Sequence, residues 1–140
     1  MRAVLDANLV VVLTYPPDPR HGAVLSRVAA WDREGADLHA PALLPYEFAS
    51  ALTRLAAVAP LDTDLLATAW EVLEDLELTL HPLEDGVRVV TLARRLGRQS
   101  AYDAAYIALA ERLGAELWTL DGKLAANAES VGFPVHLVTT

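Results

Sequence analysis

One stretch limits the folds open to this chain more than any other: SAYDAAYIALAERLGAELWTLDGKL, running from Ser100 to Leu124. Tyr102, Tyr106, Leu109, Ala110 and Leu113 recur at the spacing of one helix face, and Gly114 stops the pattern. Glu116 to Leu120 then reads as a short, buried strand. A helix that feeds directly into a core strand is half of an α/β unit. Each half carries an acid at its end. Asp103 falls in the first turn of the helix, while Asp121 closes the strand and opens a Gly-containing turn. Both positions admit two readings. Ser100 followed by Asp103 has the spacing of a capping box, and Asp121-Gly122 is a turn dipeptide that also caps a following helix. Carboxylates at element ends are caps or ligands, and these two alone do not decide.

The same alternation fills the rest of the chain. Ala3 to Leu5 begins an apolar strand that ends at Asp6, and Asn8 to Leu13 reads as a short helix entered through Asp6-Ala7-Asn8. After the turn from Tyr15 to Pro19, a helix from about Arg20 to Glu34 shows Val24, Leu25, Val28 and Trp31 on one face, and Gly35 ends it. Leu38 to Ala40 is a strand. Pro45 stands at the first position of a helix reaching about Val58, which presents Phe48, Ala49, Leu52 and Leu55 and carries Glu47 in its first turn. The helix from about Thr63 to Leu76 turns Leu66, Ala69, Trp70 and Leu73 inward. Leu78 to Leu80 reads as a strand, Glu84 to Leu96 as a helix stopped by Gly97, and Val135 to Val138 as the last strand after a short helix beyond Gly122.

Such alternation predicts a single α/β domain over residues 1–140, a sandwich whose mostly parallel central sheet carries helices on both faces. In these sheets ligands bind outside the carboxyl ends of the strands, where strand order reverses. Neighbouring first and fourth strands would bring Asp6 and Asp121 to one edge, and Glu47 and Asp103 can point there from their helix starts.

Composition narrows the chemistry. With 54% hydrophobic residues the chain can bury one real core, and no apolar run reaches the roughly 18 residues that a membrane span needs. The N-terminus lacks the layout of a signal peptide, so a soluble, cytoplasmic protein is expected. The absence of cysteine excludes disulfides, thiolate zinc sites and cysteine nucleophiles. A net charge of -8 argues against a protein that coats duplexes by neutralising phosphates, yet acids that hold a cation contribute to that charge without excluding a nuclease. Arg88, Arg94, Arg95 and Arg98 cluster as candidate phosphate contacts, or as cations suited to the end of a helix dipole. His21, His39, His81 and His136 have no metal-ligand spacing and read as surface or loop residues. There is no nucleophile elbow and no Gly-rich phosphate loop. Any chemistry belongs to the carboxylates.

Four stretches, in order, carry a resemblance: Val4-Leu5-Asp6-Ala7-Asn8, Leu44-Pro45-Tyr46-Glu47-Phe48-Ala49, Tyr102-Asp103 through Ala110, and Thr119-Leu120-Asp121. The chain resembles the PIN domain over essentially its whole length, and within that family the VapC-type ribonuclease toxins of prokaryotic toxin-antitoxin pairs. The resemblance implies that Asp6, Glu47, Asp103 and Asp121 are the acids that bind Mg²⁺ or Mn²⁺ for hydrolysis of RNA phosphodiesters. It implies Asp6, Asp103 and Asp121 as ligands, Glu47 as the group that orients or deprotonates the attacking water, and Asn8 and Thr119 as polar supports. It also implies a homodimer and an antitoxin bound in a groove beside the site; the apolar faces of Phe48, Leu52, Trp70 and Leu73 read either as such a surface or as core packing. PIN-domain RNA-processing enzymes that are not toxins remain an alternative. An Asp-x-Asp phosphatase or phosphotransferase is another, disfavoured by Asn8 where a second Asp is needed. A catalytically silent module on the same fold is disfavoured by the presence of all four acids.

Overall fold

A computed structural model of the chain describes residues 1–97 and 101–138. In order come β1 (Arg2–Leu5), α1 (Ala7–Leu13), α2 (His21–Glu34), β2 (Asp37–Pro41), α3 (Leu44–Ala56) and α4 (Thr63–Asp75). They are followed by β3 (Thr79–His81), α5 (Gly86–Arg95), α6 (Tyr102–Leu113), β4 (Glu116–Thr119), α7 (Gly122–Ser130) and β5 (Val135–Leu137). The sheet order is β3-β2-β1-β4-β5, and every pairing is parallel. The chain builds outward from β1 through β2 to β3, then returns to the other side of β1. Strand order therefore reverses between β1 and β4.

Alternation along the two central strands divides the core. Val4 of β1 pairs with Leu117 of β4, and both are fully buried beneath Phe48, Leu92 and Ile107 from the helices of one face. Ala3 and Leu5 point the other way, against Leu9, Val24 and Trp31 of α1 and α2. Each large apolar side chain so buried stabilises the fold by about 1.5–3 kcal/mol. The entry into β4 is set by Gly114, whose φ of 61° lies in the left-handed region. That bend lets the Ala115 N–H return to the Ala110 carbonyl at 2.9 Å, which ends α6 and aims the chain into the sheet.

The apolar stripes read from sequence are longer than the surfaces they bury. Leu25, Trp70 and Tyr102 are exposed rather than inward, as is Ala49. Tyr102 stands at the first position of α6, a helix that rises about 18 Å where a four-residue strand spans about 13 Å, so it overhangs the sheet. Trp70 instead leans on Phe48, ring centroids 5.3 Å apart, while Phe48, Leu52 and Leu73 are core. Those three offer no free surface to a partner. The described N-cap of α6 is Ala101, without a side-chain capping bond, and Ser100 lies outside the described residues.

Three of the histidines expected at surface or loop positions lie in strands. His39 on β2 and His81 on β3 face each other with ring nitrogens 2.9 Å apart, and burial beside His81 lowers the pKa of His39. His136 on β5 stacks on Trp118 at 4.8 Å.

Candidate active site

Topology alone carries the four acids to one edge. All strands run in the same direction, so Asp6 after β1, Asp121 after β4 and the start of α3 after β2 share the carboxyl edge. The end of α6 leads through Gly114 into the start of β4, which puts the opposite end of that helix, with Asp103, at the carboxyl edge as well. Four helices begin there, and the partial positive charge of their N-termini favours carboxylates.

Asp6 and Asp121 are caps as well as strand-end acids. One oxygen of Asp6 accepts from the Leu9 N–H at 3.1 Å and caps α1; one oxygen of Asp121 accepts from the Lys123 and Leu124 N–H groups at 2.9 and 3.3 Å and caps α7. Thr119 joins them. Its hydroxyl donates to the second oxygen of Asp6 and accepts from the Asp121 N–H at 2.9 Å. Because Thr119 is fully buried between the two strand ends, its single hydroxyl fixes the acids relative to one another. Asn8, the other expected support, is exposed, and its contribution to Asp6 comes from its backbone N–H.

Burial pushes the Asp6 carboxyl up from 3.8 to about 6, against the lowering effect of Thr119 and the Leu9 and Asn8 N–H groups, and Asp121 raises it further. Glu47, half-buried in the first turn of α3, is also raised, first by burial and then by the charge of Asp103. Opposing that rise are Tyr106, whose hydroxyl donates to a Glu47 oxygen at 2.6 Å, and, to a smaller extent, the charge of Arg54. Burial and Glu47 together keep the phenol protonated. Tyr106 is the site residue that helical spacing conceals, because the same spacing is satisfied by any core aromatic. A buried tyrosine where phenylalanine would pack as well is the available signal.

The donors are oxygens, the set that suits a hard divalent cation such as Mg²⁺ or Mn²⁺. A buried carboxylate raised by burial and by a second carboxylate is also a position where bound positive charge is favourable. Among the described residues, however, no three His, Cys, Asp or Glu side chains are grouped closely enough to hold one ion as they stand. By their mutual charge the acids fall into two couples, Asp6 with Asp121 and Glu47 with Asp103, and the Tyr106 phenol feels the charge of both Glu47 and Asp6. Donor chemistry fits the cation.

The arginines divide into two groups. Arg88 in the first turn of α5 forms a two-point ion pair with Glu111 near the end of α6, at 3.0 and 2.8 Å, and Arg112 pairs with Glu84 at 3.0 Å. These contacts make α5 and α6 an antiparallel hairpin and place Arg88 about 12 Å along α6 from Asp103. Arg94 and Arg95, exposed in the last turn of α5, lie at the same end of the hairpin as Asp103. Arg98 lies outside the described residues.

The sequence pattern of the PIN domain matches residues 3–130, and the chain belongs to that family. Within it, the ribonuclease VapC3 of Pyrobaculum aerophilum is 33% identical over 139 residues, covering 96% of this chain and 100% of that relative. The ribonuclease VapC3 of Mycobacterium tuberculosis is 32% identical over 134 residues, with 94% and 93% covered. The fold is shared with the crystal structure of VapC20 of Mycobacterium tuberculosis, described as a sarcin-ricin loop cleaving toxin, at a TM-score of 0.65 and 19% identity over 94% of this chain and 95% of that one. Among the described residues no helix is long and apolar enough to cross a membrane.

Proposed function

We propose that this chain, one PIN domain over residues 1–140, is a divalent-metal-dependent endoribonuclease and the toxin of a toxin-antitoxin pair, acting in the cytoplasm as a homodimer restrained by a small antitoxin protein. The observation that carries the reading is the buried Asp6 carboxylate, joined to Asp121 through Thr119 at the point where strand order reverses. Similarity to ribonucleases VapC3 over nearly the whole chain supplies the class of reaction.

In this reading Asp6, Asp121 and Asp103 hold Mg²⁺ or Mn²⁺. Such an ion activates water and stabilises charge on the phosphate. Thr119 keeps the strand-end ligands in register, and the backbone N–H groups of α1 and α7 hold their orientation. Glu47 accepts the proton of the attacking water. Its raised pKa brings it toward neutral pH, where a general base combines availability with proton affinity. Tyr106 donates to one Glu47 oxygen and thereby presents the carboxylate in one orientation. Arg94 and Arg95 supply positive charge for the RNA backbone beside an otherwise acidic site.

The test is cleavage of structured and single-stranded RNA with Mg²⁺, Mn²⁺ or EDTA, beside melting curves under the same conditions. Asp103→Asn should leave the metal-free melting temperature unchanged or higher, diminish the stabilisation that Mn²⁺ gives, and remove most cleavage. Full cleavage in EDTA would end the metal-dependent reading. Failure to slow growth on expression, in a protein that nonetheless cuts RNA, would leave a processing nuclease in place of a toxin.

A further inference from the structure

The cations of this chain follow a rule, and one breaks it. Among the described residues Arg33, Arg54, Arg94, Arg95 and Arg112 stand in the last turns of their helices, where the negative end of the dipole suits positive charge. Lys123, the single lysine of the chain, stands instead in the first turn of α7, where the dipole disfavours it. Arg88, in the first turn of α5, is held there by its two-point pair with Glu111. Lys123 is exposed, and its ammonium makes no ion pair or hydrogen bond among the described residues. Its place is nonetheless fixed. The Lys123 N–H donates to Asp121 at 2.9 Å, and because Cα–Cβ bonds in a helix tilt toward its N-terminus, the stem leaves toward the carboxyl edge that carries Asp6 and Asp121.

We propose that Lys123 binds the RNA phosphate being cut, its ammonium donating to a non-bridging oxygen beside Asp121. The inference rests on the ribonuclease reading of the same edge. The acids there repel a polyanion, and a positive charge of the protein's own lowers that barrier. Lysine suits the place better than arginine. Arginine's planar fork matches a carboxylate at two points, as Arg20 does on Asp18 and Arg88 on Glu111 in this molecule. Next to Asp121 such a fork would close on the acid and occupy oxygens that a divalent cation requires. A lysine is a point charge on a flexible stem, which leaves the carboxylates open and swings to a phosphate when one arrives. The cost of a cation at the wrong end of a helix is then offset once RNA is bound.

The chain has no cysteine, so Lys123→Cys introduces its only thiol and allows the charge to be removed and then put back. On a fluorescein-labelled RNA in Mn²⁺ this variant should cleave about 10–100-fold more slowly, the effect of losing one hydrogen bond to a charged group. The salt dependence of kcat/KM should flatten by about 0.7–1 in logarithmic slope, the share of one phosphate. Alkylation with 2-bromoethylamine, which ends the side chain in an ammonium again, should restore most of the rate; iodoacetamide, which leaves it neutral, should not. Melting curves over a Mn²⁺ series follow the metal apart from cleavage. Their half-saturating concentration should be unchanged or lower, because a positive neighbour has been removed. The proposal is overturned if the variant cleaves within about twofold of the parent, or if both alkylations restore the rate equally. It is also overturned if the loss of cleavage is matched by a weaker Mn²⁺ response, because Lys123 then supports the acids and not the phosphate. A parent that cleaves RNA beside an unaffected variant removes this inference alone. A parent that does not cleave RNA removes the ribonuclease reading with it.

Discussion

At the strand ends, Asp6 and Asp121 are held by backbone N–H groups of the helices they cap and by a threonine buried between them. At the helix ends, Glu47 is held by a phenol that reaches it from another helix, 59 residues away in sequence. The strand-end couple is thus positioned by local backbone as soon as β1 and β4 pair. The helix-end couple depends on how α3 and α6 pack. Under the proposed function, the strand-end acids that would hold the metal are built on the sheet, and the acid that would take the proton is built where packing and a hydrogen bond from Tyr106 tune it.

The sharpest way to break this contrast is Asp6→Asn. Asparagine caps about as well as aspartate, so the fold should survive, while cleavage falls by more than the roughly 10–100-fold typical of losing an outer support. Stability should respond to pH in a defined direction. With the folded carboxyl at about 6 and its ordinary value at 3.8, the folded state binds the proton more tightly than the unfolded one. The protein is then favoured below about pH 4 and loses on the order of 3 kcal/mol as pH rises through about 6. Denaturant titrations in EDTA should show that slope in the parent and its loss in Asp6→Asn.

Next comes Thr119→Val, which keeps the shape but strands the Asp121 N–H and one Asp6 oxygen. A fall of about 10–100-fold in cleavage or in Mn²⁺ affinity is expected, with about 1–3 kcal/mol of stability lost. Equal activity would show that the strand-end acids need no tie between them.

Tyr106→Phe probes the other couple and should do less. Removing the donor lets the Glu47 pKa rise further, so the acidic limb of the pH–rate profile should move to higher pH while the rate on its plateau changes little. A limb that stays in place would detach Glu47 from the proton transfer. The smallest effect belongs to Arg94→Gln and Arg95→Gln: a modest rise in KM, with the salt dependence of RNA binding reduced by about one unit of slope for each phosphate that is no longer neutralised. No change in slope would leave these arginines as helix-end cations.

The order of strands and helices was legible because Gly35, Gly97 and Gly114 stop apolar runs where elements end, and because Asp6 and Asp121 interrupt strands at their carboxyl ends. Helix starts bearing Glu47 and Asp103 follow from the same punctuation. Contacts between distant elements were not legible. The Tyr106 hydroxyl on Glu47 and the facing His39 and His81, 42 residues apart, arise from packing that no local pattern encodes. Nor does spacing reveal where a helix overhangs its sheet, which is why Tyr102 read as core and stands in solvent.

The sheet's outermost strands, β3 and β5, are three residues each. The ladders that fasten them to their inner neighbours close just past the strands, with the Ala42 N–H on the His81 carbonyl and the Val138 N–H on that of Thr119. A border this brief gives an incoming strand little to zip against, which protects the protein from edge-to-edge aggregation. Recruitment of another chain by strand addition is disfavoured for the same reason. Under the proposed function, a second copy or an inhibitor would have to grip helices and side chains, and substitutions on helix surfaces should affect its binding more than changes along the sheet's margin.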